Sequence, residues 1–427
     1  MYLAYSALLA LALILGAPFW LVQMVRHGKY RAGLGERLGF VPRRLRGSSG
    51  PTIWIHAVSV GEVLAVSAVV NELRRELPYR IVVSTTTQTG QKLARERFGE
   101  ASVFYFPLDF AACIRPYFDV LKPELVVLAE TEFWPNFLRV AHSSGARVAV
   151  VNGRISDRSF PRYRRIRGLL AAVLSNVDAF LTQTEEDANR LVEIGAPSER
   201  VRVAGNLKFD VRPPASAEFI GDLRRALGPA GDAVVVAGST VEGEESIVLE
   251  AFATVLERYP KALLVLAPRH RERFDEVAQT LAATGLRFWR RLQIDLATIS
   301  LSGGVLVLDT IGELASIYEV AEIAFVGGSL VPRGGHNILE PAQHGAAILV
   351  GPHTENFRDI IALFQRADAL QVVTRESLAQ TLLQLIHDKG TRQSFGARAR
   401  AVLESQVGAT ERTIAALREL LSSEGRR

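Results

Sequence analysis

Residues 52–62 read TIWIHAVSVGE: a β-branched and aromatic run, a Ser-Val-Gly turn, then a carboxylate opening a helical stretch. The same phrase recurs outward from it. YRIVVSTTT (79–87), SVFYFP (102–107), LVVLAE (125–130), RVAVVNG (147–153) and AFLTQT (179–184) each run from apolar strand to polar or turn-like end. Short strands alternating with helical stretches predict a doubly wound parallel α/β sheet, which presents its binding residues at those strand ends. Pro213–Pro214 break the rhythm, within a Pro-, Ala-, Ser- and Gly-rich stretch that reaches about Gly231. A second half restarts it with AVVVAGS (233–239), ALLVLAP (262–268), GVLVLD (304–309), IAFVGGS (323–329) and AAILVG (346–351). After Ser377 the pattern is two or three amphipathic helices and an Arg-rich tail. A chain of 427 residues holds two cores of ordinary size. The expected fold is therefore α/β, two Rossmann-like domains facing a central cleft, where ligands bind between such halves.

The remaining composition limits the setting. A 48% hydrophobic and 22% charged chain is a folded protein. Its single cysteine, Cys113, excludes an internal disulfide framework. The net charge of +5 suits an anionic partner without naming one. From Tyr2 to Met24 no residue is charged, and about 20 apolar residues make a helix of ~30 Å, enough to cross a hydrocarbon core or to lie in one leaflet. Pro18 kinks such a helix without forbidding it. Arg26, His27, Lys29 and Arg31 follow at once, and Arg37, Arg43, Arg44 and Arg46 come soon after, so the positive-inside rule keeps the bulk of the chain in the cytoplasm. A cleaved signal peptide carries its charge before the apolar run and a small-residue site after it, and neither stands here.

Several chemistries lack their signatures. No GxGxxG follows the first strand, there is no Walker loop, no DxD pair, and no HExxH or similar metal spacing among the eight histidines. The expected enzyme works without a resident metal or cofactor, through fixed side chains and helix dipoles. Glu62 falls in a first helical turn at a strand end: it is a general base for an incoming hydroxyl, or it merely complements the helix dipole. Glu130 and Glu132 diverge after a strand, so one faces the cleft; the rival is a helix N-cap cluster ahead of Trp134 and Pro135. Lys208, beside the hinge, meets a phosphate or carboxylate, or simply faces solvent. Arg154, Arg158, Arg162, Arg164, Arg165 and Arg167 form a basic face for a phosphorylated headgroup, or an ordinary solvated one. In the second half Arg269, after Pro268, can pair bidentately with a phosphate. Gly327-Gly328-Ser329 and Gly334-Gly335-His336-Asn337 let backbone amides approach an anion, and Glu340 is placed to accept from ribose hydroxyls. Together these make a nucleotide site.

The motifs HAVSVGE, TTTQTG, ETEFWPN, NGRIS, GNLKFD, STVEGEE, PRHRERF, DTIGEL, FVGGSLVPRGGHNILEP and GPHTENF, in this order, resemble the Kdo (3-deoxy-D-manno-octulosonic acid) transferase family, of GT-B architecture. The resemblance spans essentially the whole chain. It implies transfer of Kdo from CMP-Kdo to the 6′-hydroxyl of the lipid A precursor lipid IVA, with inversion and release of CMP, in lipopolysaccharide biosynthesis. Glu62 would be the base, and Glu130 and Lys208 would support the transition state. Pro268, Arg269, Ile311, Gly312, Glu313, Asn337, Ile338, Leu339 and Glu340 would contact CMP, the two isoleucines through backbone groups. It further implies an anchor at 1–26, an acceptor domain at 27–212, a linker at 213–230, a CMP-Kdo domain at 231–410 and a terminal helix and tail at 411–427. Its partners are lipid IVA, CMP-Kdo and the inner membrane, with no nucleic acid. The rivals are another lipid-directed GT-B nucleotide-sugar transferase and, from a different class, a membrane-tethered nucleotide-binding protein without turnover.

Overall fold

The computed structural model describes residues 1–27, 32–47, 50–211, 217–228 and 233–422. Lys29 and Arg31 of the basic flank, Pro213–Pro214, Gly231 and the Arg-rich tail lie outside the described residues. The chain divides into two compact units, unit 1 holding Met1–Val211 with Gln406–Arg427, and unit 2 holding Arg212–Ser405.

Unit 1 is built on seven parallel strands: β1 (Thr52–His56), β2 (Arg80–Thr85), β3 (Val103–Tyr105), β4 (Pro123–Ala129), β5 (Arg147–Gly153), β6 (Ala179–Thr182) and β7 (Val201–Val203). Their order is β3-β2-β1-β4-β5-β6-β7, so the strand sequence reverses between β1 and β4, at the point where such sheets bind ligands. The register sets Ile53 against Ile81 on one side and Leu125 on the other. Side chains alternate between two buried faces, which is why the strands read as near-continuous Val, Ile and Leu. Trp54, Phe104, Val126, Leu128 and Phe180 meet helices Ala111–Leu121 and Pro135–Ser143 on one face. Ile53, Ile55, Val83, Val127 and Val151 meet helix Val60–Glu76 on the other. Trp54 centres the first face, with the rings of Phe104, Phe118 and Phe137 between 5.0 and 5.3 Å away and its indole N–H donating to Ser84 Oγ at 2.7 Å.

Unit 2 repeats the plan with β8 (Val234–Thr240), β9 (Leu263–Pro268), β10 (Phe288–Arg290), β11 (Gly304–Val307), β12 (Ile323–Val326), β13 (Ala347–Val350) and β14 (Gln371–Val372), in the order β10-β11-β9-β8-β12-β13-β14. Its reversal falls between β8 and β12. Strands β7, β10 and β14 were not expected: they are two or three residues long at a sheet edge and, unlike the equally short β3, are not buried.

Two expected boundaries change. Residues 213–230 are not simply a linker, because Ala217–Leu227 is a helix whose Leu223 and Ala226 are buried in the core of unit 2. The helical spacing of Ile220, Leu223 and Leu227 outweighs the Pro- and Ala-rich composition. The terminal helix is Ala409–Ser422, and it lies on unit 1, where Ala409, Ile414 and Leu417 join the core around helix Val60–Glu76. Its first turn is held by Asp210, whose carboxylate accepts from the amides of Gly408 at 2.9 Å and Thr410. Arg412 Nε donates to the Ala204 carbonyl at 2.7 Å. Replacing an N-terminal cap of this kind by alanine costs about 1–2 kcal/mol. Asp210→Ala is expected to lower the unfolding midpoint of unit 1 accordingly and to speed proteolysis of residues beyond 406, read by denaturant titration and limited digestion.

Candidate active site

Glu62 is placed by its own helix start. Ser59 is the N-cap of Val60–Glu76, and its Oγ donates to Glu62 Oε1 at 2.8 Å. Glu62 Oε2 accepts from the Val58 amide at 2.7 Å. The side chain thus closes a capping arrangement like the S-x-x-E box, reaching one residue further back than usual. It is only 9% exposed. Burial raises its pKa to about 7; the Val58 and Ser59 hydrogen bonds oppose this, and the charges of Glu130 and Glu132 add to it. The helix-terminus reading is what the geometry shows: the carboxylate serves the start of its own helix, and burial places its proton exchange near neutrality.

Glu130 follows β4 directly, at φ 58°, a left-handed conformation that is costly for a glutamate. Its Oε1 lies 3.5 Å from Lys208 Nζ. Glu132 accepts from the Trp134 indole N–H at 2.7 Å, and its charge, like that of Glu130, reaches Glu62. Burial, then the Glu130 charge, pushes the Glu132 carboxyl up, against the Trp134 hydrogen bond. Neither acid caps the following helix. Asp109 does so, its two oxygens accepting from the amides of Asn136 at 3.1 Å and Phe137 at 2.8 Å. The N-cap reading of the pair is therefore corrected: Pro135 opens the helix, but the cap comes from another loop.

Lys208 does not simply face solvent. Asn206 Oδ1 accepts from the Lys208 amide at 3.0 Å, Asn206 Nδ2 donates to Gln183 Oε1 at 2.9 Å, and Gln183 Nε2 donates to the Asn152 carbonyl at 3.1 Å. Asn152, itself at φ 54°, accepts from the Leu207 amide through Oδ1 at 3.0 Å. Three buried amide side chains from the ends of β5, β6 and β7 thus fix the backbone that carries Lys208. The fold brings Glu62, Glu130 and Lys208 to one end of one sheet.

In unit 2 the expected contacts gather at the equivalent strand ends. Arg269, after β9, has its amide on the Thr240 carbonyl at 2.8 Å and an exposed side chain with no ion pair among the described residues. Asn337 Nδ2 donates to Glu340 Oε1 at 3.2 Å, and Asn337 Oδ1 accepts from the Leu339 amide at 3.1 Å. Burial raises the Glu340 carboxyl, while Asn337 and the Arg269 charge lower it. Ile338 and Leu339 are buried, so their side chains are core. Ile311 is exposed, Gly312 takes φ 94°, and Glu313 pairs with Arg291 at 3.1 Å. Residues 311–313 lead to Tyr318, a phenol buried near the Glu340 charge.

One expectation fails here. The amides after β12 are not open to a ligand anion, because a carboxylate of the protein already holds them. Glu244, fully buried, accepts from Gly328 at 2.7 Å, Ser329 at 2.9 Å, Leu330 at 2.8 Å and Val241 at 3.1 Å. Gly328 must be glycine, at φ 69° and with the His336 ring 2.8 Å from where a Cβ would stand. The turn is an anion nest with a resident anion.

The family model for 3-deoxy-D-manno-octulosonic-acid transferase (kdotransferase) matches residues 32–211. The 3-deoxy-D-manno-octulosonic acid transferase of Haemophilus influenzae is 33% identical over 424 residues, 98% of each chain. The chain belongs to the Kdo transferase family. The Bordetella pertussis family member is likewise 33% identical, over 95% of this chain and 97% of its own. A UDP-GlcNAc 2-epimerase from Neisseria meningitidis shares the fold, with a TM-score of 0.58 at 14% identity over 86% of this chain and all of that one. The two Rossmann-like units are the GT-B architecture, and the protein is a glycosyltransferase that transfers Kdo.

Sequence reasoning on this Kdo transferase passed over Glu244, Asp109, Asn152, Gln183 and Asn206. No local pattern marked their roles, because their partners are brought near only by the fold. Glu244→Gln replaces an acceptor oxygen by a donor against the amides of residues 328–330. Leaving buried amides unpaired costs ~1–3 kcal/mol each. Unit 2 is therefore expected to lose about 3 kcal/mol or more in denaturant unfolding, with nucleotide binding falling in step.

Proposed function

We propose that this family member transfers Kdo from CMP-Kdo to the 6′-hydroxyl of lipid IVA, with unit 1 as the acceptor domain and unit 2 as the CMP-Kdo domain. The observation that carries the reading is Glu62, buried, tuned to about 7 and grouped with Glu130 and Lys208. In the proposed step the Glu62 carboxylate takes the proton of the acceptor hydroxyl as its oxygen bonds to the anomeric carbon of Kdo. The bond from that carbon to the CMP phosphate oxygen breaks on the opposite face, so the centre inverts. A positioned base contributes ~10²–10⁴-fold to such a transfer. Lys208 and Glu130 support charge in the transition state, the ammonium facing the oxyanions and the carboxylate holding the ammonium in place. Arg269 and the backbone of residues 311–313 and 337–340 bind CMP, and Glu340 accepts from its ribose. The chemistry uses no metal and no resident cofactor. The acceptor's phosphates match the basic surface, and the apolar N-terminal helix holds the enzyme at the cytoplasmic face of the inner membrane, with no role for nucleic acid.

The deciding assay incubates the protein with CMP-Kdo and lipid IVA and follows the lipid by mass spectrometry. A sugar-extended lipid is expected; an unchanged lipid beside intact, active donor removes the proposal. Glu62→Gln is expected to lose at least 10²-fold in kcat with CMP affinity unchanged. Because only the ionised carboxylate accepts the proton, kcat/KM should rise as pH increases through about 7. Glu130→Gln removes a like charge, so the rising limb should move to lower pH. Arg269→Ala should raise the donor KM about tenfold or more and spare the limb, since it acts on phosphate.

A further inference from the structure

The helix Tyr2–His27 is about 39 Å long at 1.5 Å per residue and carries its large apolar side chains into the open. Leu3, Leu8, Ile14, Leu15 and Phe19 are between 61 and 88% exposed, so the helix is not a core element of unit 1. Its first turns nevertheless do not leave the protein. Tyr2 Oη donates to the Ala172 carbonyl at 3.4 Å and accepts from Asn176 Nδ2 at 3.3 Å. The Arg139 guanidinium sits 4.6 Å over the Tyr2 ring. Tyr5 donates to Asp109, and Asn136 Nδ2 donates to Ser6 Oγ at 3.0 Å. Beyond the helix the chain is tied to the same unit. The Leu108 amide donates to the Arg37 carbonyl at 2.8 Å, the Tyr105 amide to Glu36 Oε2 at 2.7 Å, and Arg37 stacks 4.6 Å over the Tyr105 ring.

A membrane-crossing helix delivers its two ends to opposite aqueous phases, across ~30 Å of hydrocarbon. Here the first turns of the helix and the segment that resumes a few residues after it, at Glu36 and Arg37, both hold to one folded, charge-bearing unit, and so short a connection cannot recross the bilayer. We infer that the helix lies in the plane of one leaflet as a monotopic element, its N-terminal turn on the same side of the bilayer as unit 1. The occupant of the open apolar face is the lipid bilayer. Unit 1 adds exposed apolar residues near its attachments to this segment: Ile166 and Leu169 on the stretch that carries Ala172, and Leu34, Leu38 and Phe40 soon after the helix. Exposed Arg162, Arg165 and Arg167 border Ile166 and Leu169, the charge pattern that anionic headgroups attract. Embedded this way, the helix holds Asp109 and Asn136, and with them the strand-end loops of unit 1, at headgroup depth. The inference does not depend on which sugar or lipid is used.

Two measurements on the full chain in inner-membrane vesicles test it. A protease-cleavable epitope placed before Met1 should be removed by protease added to inverted vesicles and protected in right-side-out ones. In a Cys113→Ser background, Tyr2→Cys with Asn176→Cys should be joined by a bifunctional thiol cross-linker that spans the length of the tyrosine side chain, in the membrane-bound protein. Cleavage in right-side-out vesicles alone, or failure of the pair to cross-link while the protein stays membrane-bound and active, overturns the proposal.

Discussion

Every parallel strand that gives way to a loop leaves amide groups without ladder partners, and buried ones must find acceptors. In this protein carboxylates meet that demand. Asp109 holds the start of helix Pro135–Ser143, Asp210 the start of helix Ala409–Ser422, Glu244 the turn after β12, and Glu62 the Val58 amide ahead of its own helix. Each ties a segment to another that is distant or turned back in sequence. These contacts fix the backbone at the sheet ends and so position the polar groups presented there.

That scaffold sets the electrostatics of unit 1. Hydrogen bonds from Val58 and Ser59 would by themselves keep Glu62 a strong acid, as carboxylates with amide donors are. Burial overrides them, and two neighbouring acids reinforce it. Glu130 takes a left-handed backbone and pairs with Lys208, whose own backbone the Asn152, Gln183 and Asn206 network holds. Backbone strain and side-chain amides thus converge on the distance between one acid and one base.

Much of this was written in the chain. Apolar runs long enough to fill both faces of a sheet gave β1, β4, β5, β8, β9 and β12 with their ends, and Glu62, Glu130 and Arg269 could be placed because each follows such a run. The three-residue edge strand β3 is fully buried and was legible as an apolar run, whereas β7, β10 and β14 are just as short but only partly buried, so no such run marked them. The helix Ala217–Leu227 hid behind the composition of its surroundings. Glu244 was harder. Nothing local in STVEGEE says that its carboxylate crosses to amides some 85 residues later, since that pairing exists only once β8 and β12 are neighbours. The same holds for Asp109 and for the amide network behind Lys208. Residues that act at the end of their own strand are legible, and those that act across the sheet are not.

The path of the chain has its own consequence. Unit 2 is an insertion: the polypeptide leaves unit 1 at Val211 and returns at Gln406. On the ribosome, unit 2 is therefore complete and free to fold while the sheet of unit 1 still lacks Ala409, Ile414 and Leu417 over one face. The half that holds Glu62 waits for the helix Ala409–Ser422, so a nascent chain carries a finished second domain before it has a finished first one. A premature stop between about residue 405 and that helix would yield a folded unit 2 and a unit 1 with bare apolar surface, a species marked for aggregation or degradation.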